Sequence, residues 1–151
     1  MTAVERQTTI AAAPDRVWSV LADFAGISRW APNVDHSCAM TDRSDGVGAV
    51  RRVQTGRTTL VESIEEWQPG TRLAYSITGL PPVVRSVVTV WSLDPVGTGA
   101  DRTALTVRTD VDAGPRPPQR LIAKVVARKF GDAADEMLAG LTAHVQRGSA
   151  S

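Results

Sequence analysis

The sequence predicts one α+β domain, a curved seven-stranded antiparallel sheet wrapped around a long C-terminal helix, with two short helices after the first strand. Three observations carry this prediction. From residue 34 to residue 111, apolar and β-branched side chains recur with a period of two, in segments cut by Gly and Pro turns. From residue 119 to residue 145 the steps become three and four, the spacing of a single apolar helical stripe. The turns between strands are short, and short hairpins make neighbouring strands antiparallel. Such a sheet needs a cover for its apolar face, and the terminal helix is the one element large enough to supply it.

Each element has its own signal. Residues 4–11 read as the first strand, with Val4, Arg6, Thr8 and Ile10 on one face. Ala13-Pro14-Asp15 opens a helix, since proline's missing N–H has no partner in a first turn and Asp15 suits the positive helix end. Val17, Trp18, Val20, Leu21 and Phe24 follow at helical spacing. Gly26 ends that helix, and residues 27–30 read as a second short one closed by Pro32. Val34, His36, Cys38 and Met40 then share a strand face, as far as the turn Asp45-Gly46-Val47-Gly48. Strands over 50–55 and 58–67 meet at Gly56-Arg57, and a strand over 72–78 follows the Pro69-Gly70 turn. Gly79-Leu80-Pro81-Pro82 interrupts the chain before a strand over 83–93, and a loop over 94–101 leads to the last strand, 102–111. Pro115 to Pro118 introduces the helix over 119–145, whose stripe is Ile122, Val126, Phe130, Ala133, Met137, Leu141 and Val145. The domain is expected over residues 1–147, with 148–151 as a disordered tail.

Composition excludes several classes. A chain of 151 residues buries about 68–70% of its unfolded surface, so a core forms without disulfides or metals. Cys38 is the single cysteine, which forbids an intrachain disulfide and fits a cytoplasmic setting. Lys plus Arg number 17 and Asp plus Glu 16, a near balance that argues against nucleic-acid binding and gives no support for a polybasic membrane contact. The first seven residues carry Glu5 and Arg6 with no long apolar run behind them, so no signal peptide is expected. No membrane span is expected either, for lack of the roughly 20 apolar residues one requires.

A bent sheet held on one helix tends to leave room between the two, so a cavity for a small hydrophobic molecule is expected there. The residues also resemble a known family. Ala12-Ala13-Pro14-Asp15-Arg16-Val17-Trp18 and Gly26-Ile27-Ser28-Arg29-Trp30 are similar to motifs of the START-like, or SRPBCC, superfamily, and more narrowly of its polyketide cyclase/dehydrase-like group. Gly46-Val47-Gly48 followed by Arg51, then Glu62, Pro69-Gly70 and Leu73-Ala74-Tyr75, continue the likeness, which runs from about residue 5 to residue 145. The resemblance implies the helix-grip fold. It leaves the role open, because the superfamily includes carriers of lipids and hormones as well as polyketide aromatases and cyclases. Its hormone receptors use a longer gate loop after the third strand, where this chain has only Gly56-Arg57.

The resemblance also implies which strand faces look inward. On those faces Val34 goes with His36, Arg51 with Val53, Leu60 with Glu62, Tyr75 with Ile77, and Ser86 with Val88. With Trp30, Val107, Val126 and Phe130 they form the expected ligand-binding set. Trp67 and Trp91 fall on the opposite parity, so either they cover the outer sheet surface, at a homodimer contact, or the register changes there. A buried Arg51 requires a partner, and Glu62 on the next strand is the nearest candidate. Two readings stay open: a satisfied pair at the cavity rim, or an Arg51 that orients an anionic or carbonyl group of a ligand. His36 is either a packed strand histidine or a general acid–base, alone or with Glu62. His36 and Cys38 are too few to hold a metal, with His144 far away on the last helix. No phosphate loop, nucleophile elbow or cysteine pair is present, so no cofactor is expected, and Cys38 reads as core.

Three functions follow. The first is binding or carriage of a small lipid- or polyketide-like molecule, without catalysis. The second is a polyketide cyclase, aromatase or dehydratase in which Arg51 holds a carbonyl or enolate oxygen and His36 or Glu62 moves a proton. The third is a protein-interaction or stress-associated module. The loop at residues 79–82 is a plain turn in one view and a lid over the cavity mouth in another.

Overall fold

In the computed structural model, which describes residues 2–149, seven strands form one antiparallel sheet. β1 (Thr2–Ile10) is followed by α1 (Pro14–Ala22) and a 3-10 segment, Phe24–Arg29. The strands β2 (His36–Ala39), β3 (Val50–Thr55), β4 (Thr58–Gln68), β5 (Arg72–Thr78), β6 (Ser86–Val96) and β7 (Arg102–Asp112) then lead to α2 (Pro117–Ser149). The sheet order is β1-β7-β6-β5-β4-β3-β2, so every hairpin pairs with its neighbour and β1 closes onto the last strand. This is the predicted helix-grip architecture. The tail expected at residues 148–151 is a correction in part: α2 continues through Ser149, and residues 150–151 lie outside the described residues.

The seating of α2 creates the interior space. Its fully buried stripe is Ala123, Ala127, Gly131, Ala134, Leu138, Leu141 and Val145, mostly small side chains. They let the helix lie close on β1 and β7. A Cβ at Gly131 would stand 2.8 Å from Val4 Cγ2 and from an Arg6 guanidinium nitrogen. The next flank, with Ile122, Val126, Phe130, Ala133 and Met137, is only half-buried. That flank holds most of the apolar stripe read from the sequence. It faces the concave side of the sheet and packs only partly against the core, because the helix is seated chiefly on β1 and β7 at one edge.

A second close approach fixes the other end of α2. At Gly140 a Cβ would collide with the backbone oxygen of Trp30 and lie 2.6 Å from Pro32 Cδ. An exposed helical Gly→Ala change is ordinarily stabilising by about 0.5–1 kcal/mol. Here the neighbour is backbone, which cannot swing aside. Gly140→Ala is expected to lower stability by about 1–3 kcal/mol instead, read as a fall in urea midpoint. An unchanged or raised midpoint would show that the Trp30–Pro32 segment yields freely.

Strand registers depart from the sequence reading in three places. In β2 the inward residue is Ser37, whose hydroxyl donates to Ala25 O at 2.7 Å and accepts from Ser28 N at 3.1 Å. This anchoring turns His36 and Cys38 to the exposed side, so neither lies in the interior as expected. In β4, Ile64 pairs with Tyr75 and Glu66 with Ala74, which leaves Glu65 as a bulge. The extra residue reverses the parity beyond it and turns Trp67 inward, onto Trp18 of α1, with ring centroids 5.0 Å apart. In β6 the buried set is Val87, Thr89, Trp91 and Leu93. Ser86 is exposed and Val88 only half-buried on the other face, opposite to the expected register. With both tryptophans turned inward, their placement does not support a homodimer contact on the outer sheet surface.

Candidate functional site

Between the concave sheet and α2 lies a cavity of about 460 Å³. Its floor comes from Val53, Leu60, Glu62, Tyr75, Ile77 and Val107, as expected, joined by Thr89, Trp91 and Thr109. Val126, Phe130, Ala133 and Met137 of α2 form the roof. Ile27, Asn33 and Val34, from the 3-10 segment and the chain after it, close one end. The exposed lining residues Thr58, Pro81, Val83 and Lys129 mark the mouth, between the β3–β4 hairpin, the β5–β6 loop and the helix.

Several expected ligand residues stand elsewhere. His36, Ser86 and Val88 do not line the cavity, for the register reasons above, and no His36–Glu62 dyad forms. Trp30 is buried behind the wall, edge-on to Trp91 with centroids 6.0 Å apart. Arg51 is buried too, but it supports the wall without lining it.

The Arg51–Glu62 pairing is the electrostatic centre of the interior. The two residues are directly opposite across β3 and β4, so their side chains emerge together on one face. Arg51 Nε donates to Glu62 Oε1 at 2.7 Å, its Nη2 lies 2.7 Å from the same oxygen, and Nη1 donates to Phe24 O at 2.8 Å. The guanidinium carbon sits 3.7 Å from the Phe24 ring centroid and 4.7 Å from that of Tyr75. Aromatic faces attract a cation held this way. The cation is therefore enclosed on several sides, while its carboxylate partner borders the cavity.

Tyr75 extends this network. Its hydroxyl oxygen accepts from Trp91 Nε1 at 3.1 Å, and its ring meets Phe24 edge-on. Burial, and then the nearby Glu62 charge, push its pKa up from 10.0 to about 12, against the opposing pull of Arg51 and the Trp91 N–H. Tyr75 therefore holds its proton. The folded state keeps this proton at pH values where the unfolded chain has begun to lose it. The associated stability is whole below pH 10 and is lost as pH rises from about 10 through 12. Tyr75 is the only tyrosine, so tyrosinate absorbance isolates it. The native protein is expected to titrate near 12 and the urea-unfolded chain near 10; coincident curves would contradict the buried placement.

Polar residues that the sequence reading missed complete the lining. Thr89 and Thr109, opposite each other on β6 and β7, share a buried hydroxyl–hydroxyl hydrogen bond of 2.9 Å. The β7 alternation Thr103, Leu105, Val107, Thr109, Val111 offered a signal for Thr109. Asn33 comes from a loop, where no periodicity could place it, and its Oδ1 is buried without a protein partner. No cluster of metal-ligating side chains occurs among the described residues, nor any helix long and apolar enough to cross a membrane.

A bent sheet gripping a long helix, with a largely apolar chamber between them, defines a helix-grip cavity protein. Residues 1–146 match the family described as polyketide cyclase/dehydrase and lipid transport, and the chain belongs to that family. Among solved structures it is similar to the ZhuI aromatase/cyclase of Streptomyces sp. R1128, at 20% identity over 97% of this chain and 94% of that one, with a TM-score of 0.79. A START superfamily protein from Mycobacterium smegmatis is 16% identical over 96% of this chain and 97% of that one, with a TM-score of 0.74. These likenesses establish the fold. No curated protein matches the chain.

Proposed function

We propose that this protein binds and carries a small hydrophobic molecule in the cavity between the sheet and α2. The supporting observation is the cavity itself: about 460 Å³, within the range of small-molecule sites. Its roof is made of apolar helix residues that the protein's own core covers only in part. Occupancy by an apolar ligand would remove that surface from water and supply the missing packing contacts. Native mass spectrometry of gently purified protein, with Nile red titration of stripped protein, tests this reading. A retained small-molecule mass, or saturable dye fluorescence at one site per chain, is expected. Absence of both would reject it.

A second reading, a polyketide aromatase/cyclase, is favoured by Glu62 and Tyr75 bordering the same cavity and by the fold shared with the ZhuI enzyme. In that reading Glu62 moves the proton and Tyr75 donates to a carbonyl oxygen. Arg51 acts only as a positioning residue through Glu62, and His36 takes no part. Enzyme-dependent ring closure of a poly-β-ketone substrate, abolished in Tyr75→Phe and Glu62→Gln, distinguishes it from carriage.

A further inference from the structure

We propose, resting on the binding reading, that the cavity selects a neutral hydrophobic molecule whose enclosed end carries hydrogen-bond donors, such as phenolic or alcoholic hydroxyls, and disfavours a carboxylate head group. Two acceptor residues, Glu62 and Asn33, line the cavity. Both Arg51 contacts to Glu62 fall on Oε1, and Glu62 lines the cavity, so its carboxylate is an acceptor that the chamber presents to a ligand. Asn33 also lines the cavity, and its buried Oδ1 has no protein partner. A buried acceptor left unmatched costs about 1–3 kcal/mol, and more when it is charged. A ligand hydroxyl or amine satisfies such atoms; an ether or hydrocarbon does not.

The same arrangement sets the sign of charge. Arg51 is committed to Glu62, to Phe24 O and to two aromatic faces, and it does not line the cavity. What the chamber presents is the acidic end of the pair. A ligand carboxylate placed there meets a like charge and loses its hydration. Tyr75 and the Thr89–Thr109 pair are hydroxyls that serve a ligand carbonyl or hydroxyl, and they do not reverse this sign. Among the described residues, Lys129 is the one cation lining the cavity, but it is exposed at the mouth, where water and salt weaken its pull.

Three probes on one aromatic frame test the proposal by calorimetry: β-naphthol, β-methoxynaphthalene and β-naphthoate. β-Naphthol is expected to bind about tenfold or more tighter than either of the others. Asn33→Leu is expected to weaken β-naphthol by about tenfold while leaving β-methoxynaphthalene within about twofold. Equal affinities, tightest binding of β-naphthoate, or an unchanged preference in Asn33→Leu overturns the proposal. The wild-type comparison decides alone if that variant fails to fold. Nile red separates the two levels of failure. Dye binding without naphthol preference defeats only the ligand-class inference, whereas no binding of dye or probes defeats the carriage reading as well.

Discussion

Arg51→Met is expected to destabilise the fold by about 3–5 kcal/mol, the cost of breaking a buried ion pair from one side. The loss has two sources. Glu62 loses its counter-ion at a buried position, and Phe24 O loses its donor. Urea denaturation measures the effect, and the double variant Arg51→Met/Glu62→Leu identifies its origin. With both charges removed, most of the stability should return, leaving a deficit of about 1 kcal/mol for the orphaned carbonyl. If the single variant costs less than about 1 kcal/mol, Glu62 is well solvated through the cavity, and the pair contributes no more than a surface salt bridge does.

The second large effect is on ligand uptake. Ala133 lies in the roof of the cavity, on the half-buried flank of α2. Ala133→Trp inserts an indole into the empty space. Nile red affinity is expected to fall by at least about 100-fold. Stability should change little, because the new side chain fills a void without displacing packed neighbours. Ala139→Trp, on the exposed side of the same helix, should leave dye binding intact. Binding that survives Ala133→Trp would place the dye outside the cavity.

Much of the architecture is legible in the sequence. Hairpin connections and the terminal helix follow from periodicity and turns, because those signals are local; the pairing of β1 with β7 joins opposite ends of the chain, and no turn announces it. The Arg51–Glu62 contact was legible for a related reason. A two-residue hairpin, Gly56-Arg57, sets the register of β3 on β4 and therefore brings the two side chains opposite each other. The failures share a cause. β6 begins Ser-Val-Val-Thr-Val-Trp, with apolar side chains on both faces, so alternation cannot tell inside from outside. β2 is a four-residue edge strand with small or polar residues throughout, and its orientation depends on Ser37 reaching Ala25, a contact between segments twelve residues apart. Trp67 was misplaced by one unpaired residue at Glu65. Asn33 required knowledge of where a loop lies in space.

The rail of alanine and glycine along α2 has a bearing on how this protein diversifies. Attachment of the helix depends on one flank, Ala123, Ala127, Gly131 and Ala134, while the adjacent flank shapes the chamber. Exchanges among Val126, Phe130, Ala133 and Met137 can enlarge, shrink or reshape the compartment without loosening its anchorage. Cargo preference can thus drift across descendants while the scaffold's resistance to unfolding is held constant, an evolutionary freedom that a helix centred on the sheet would forfeit.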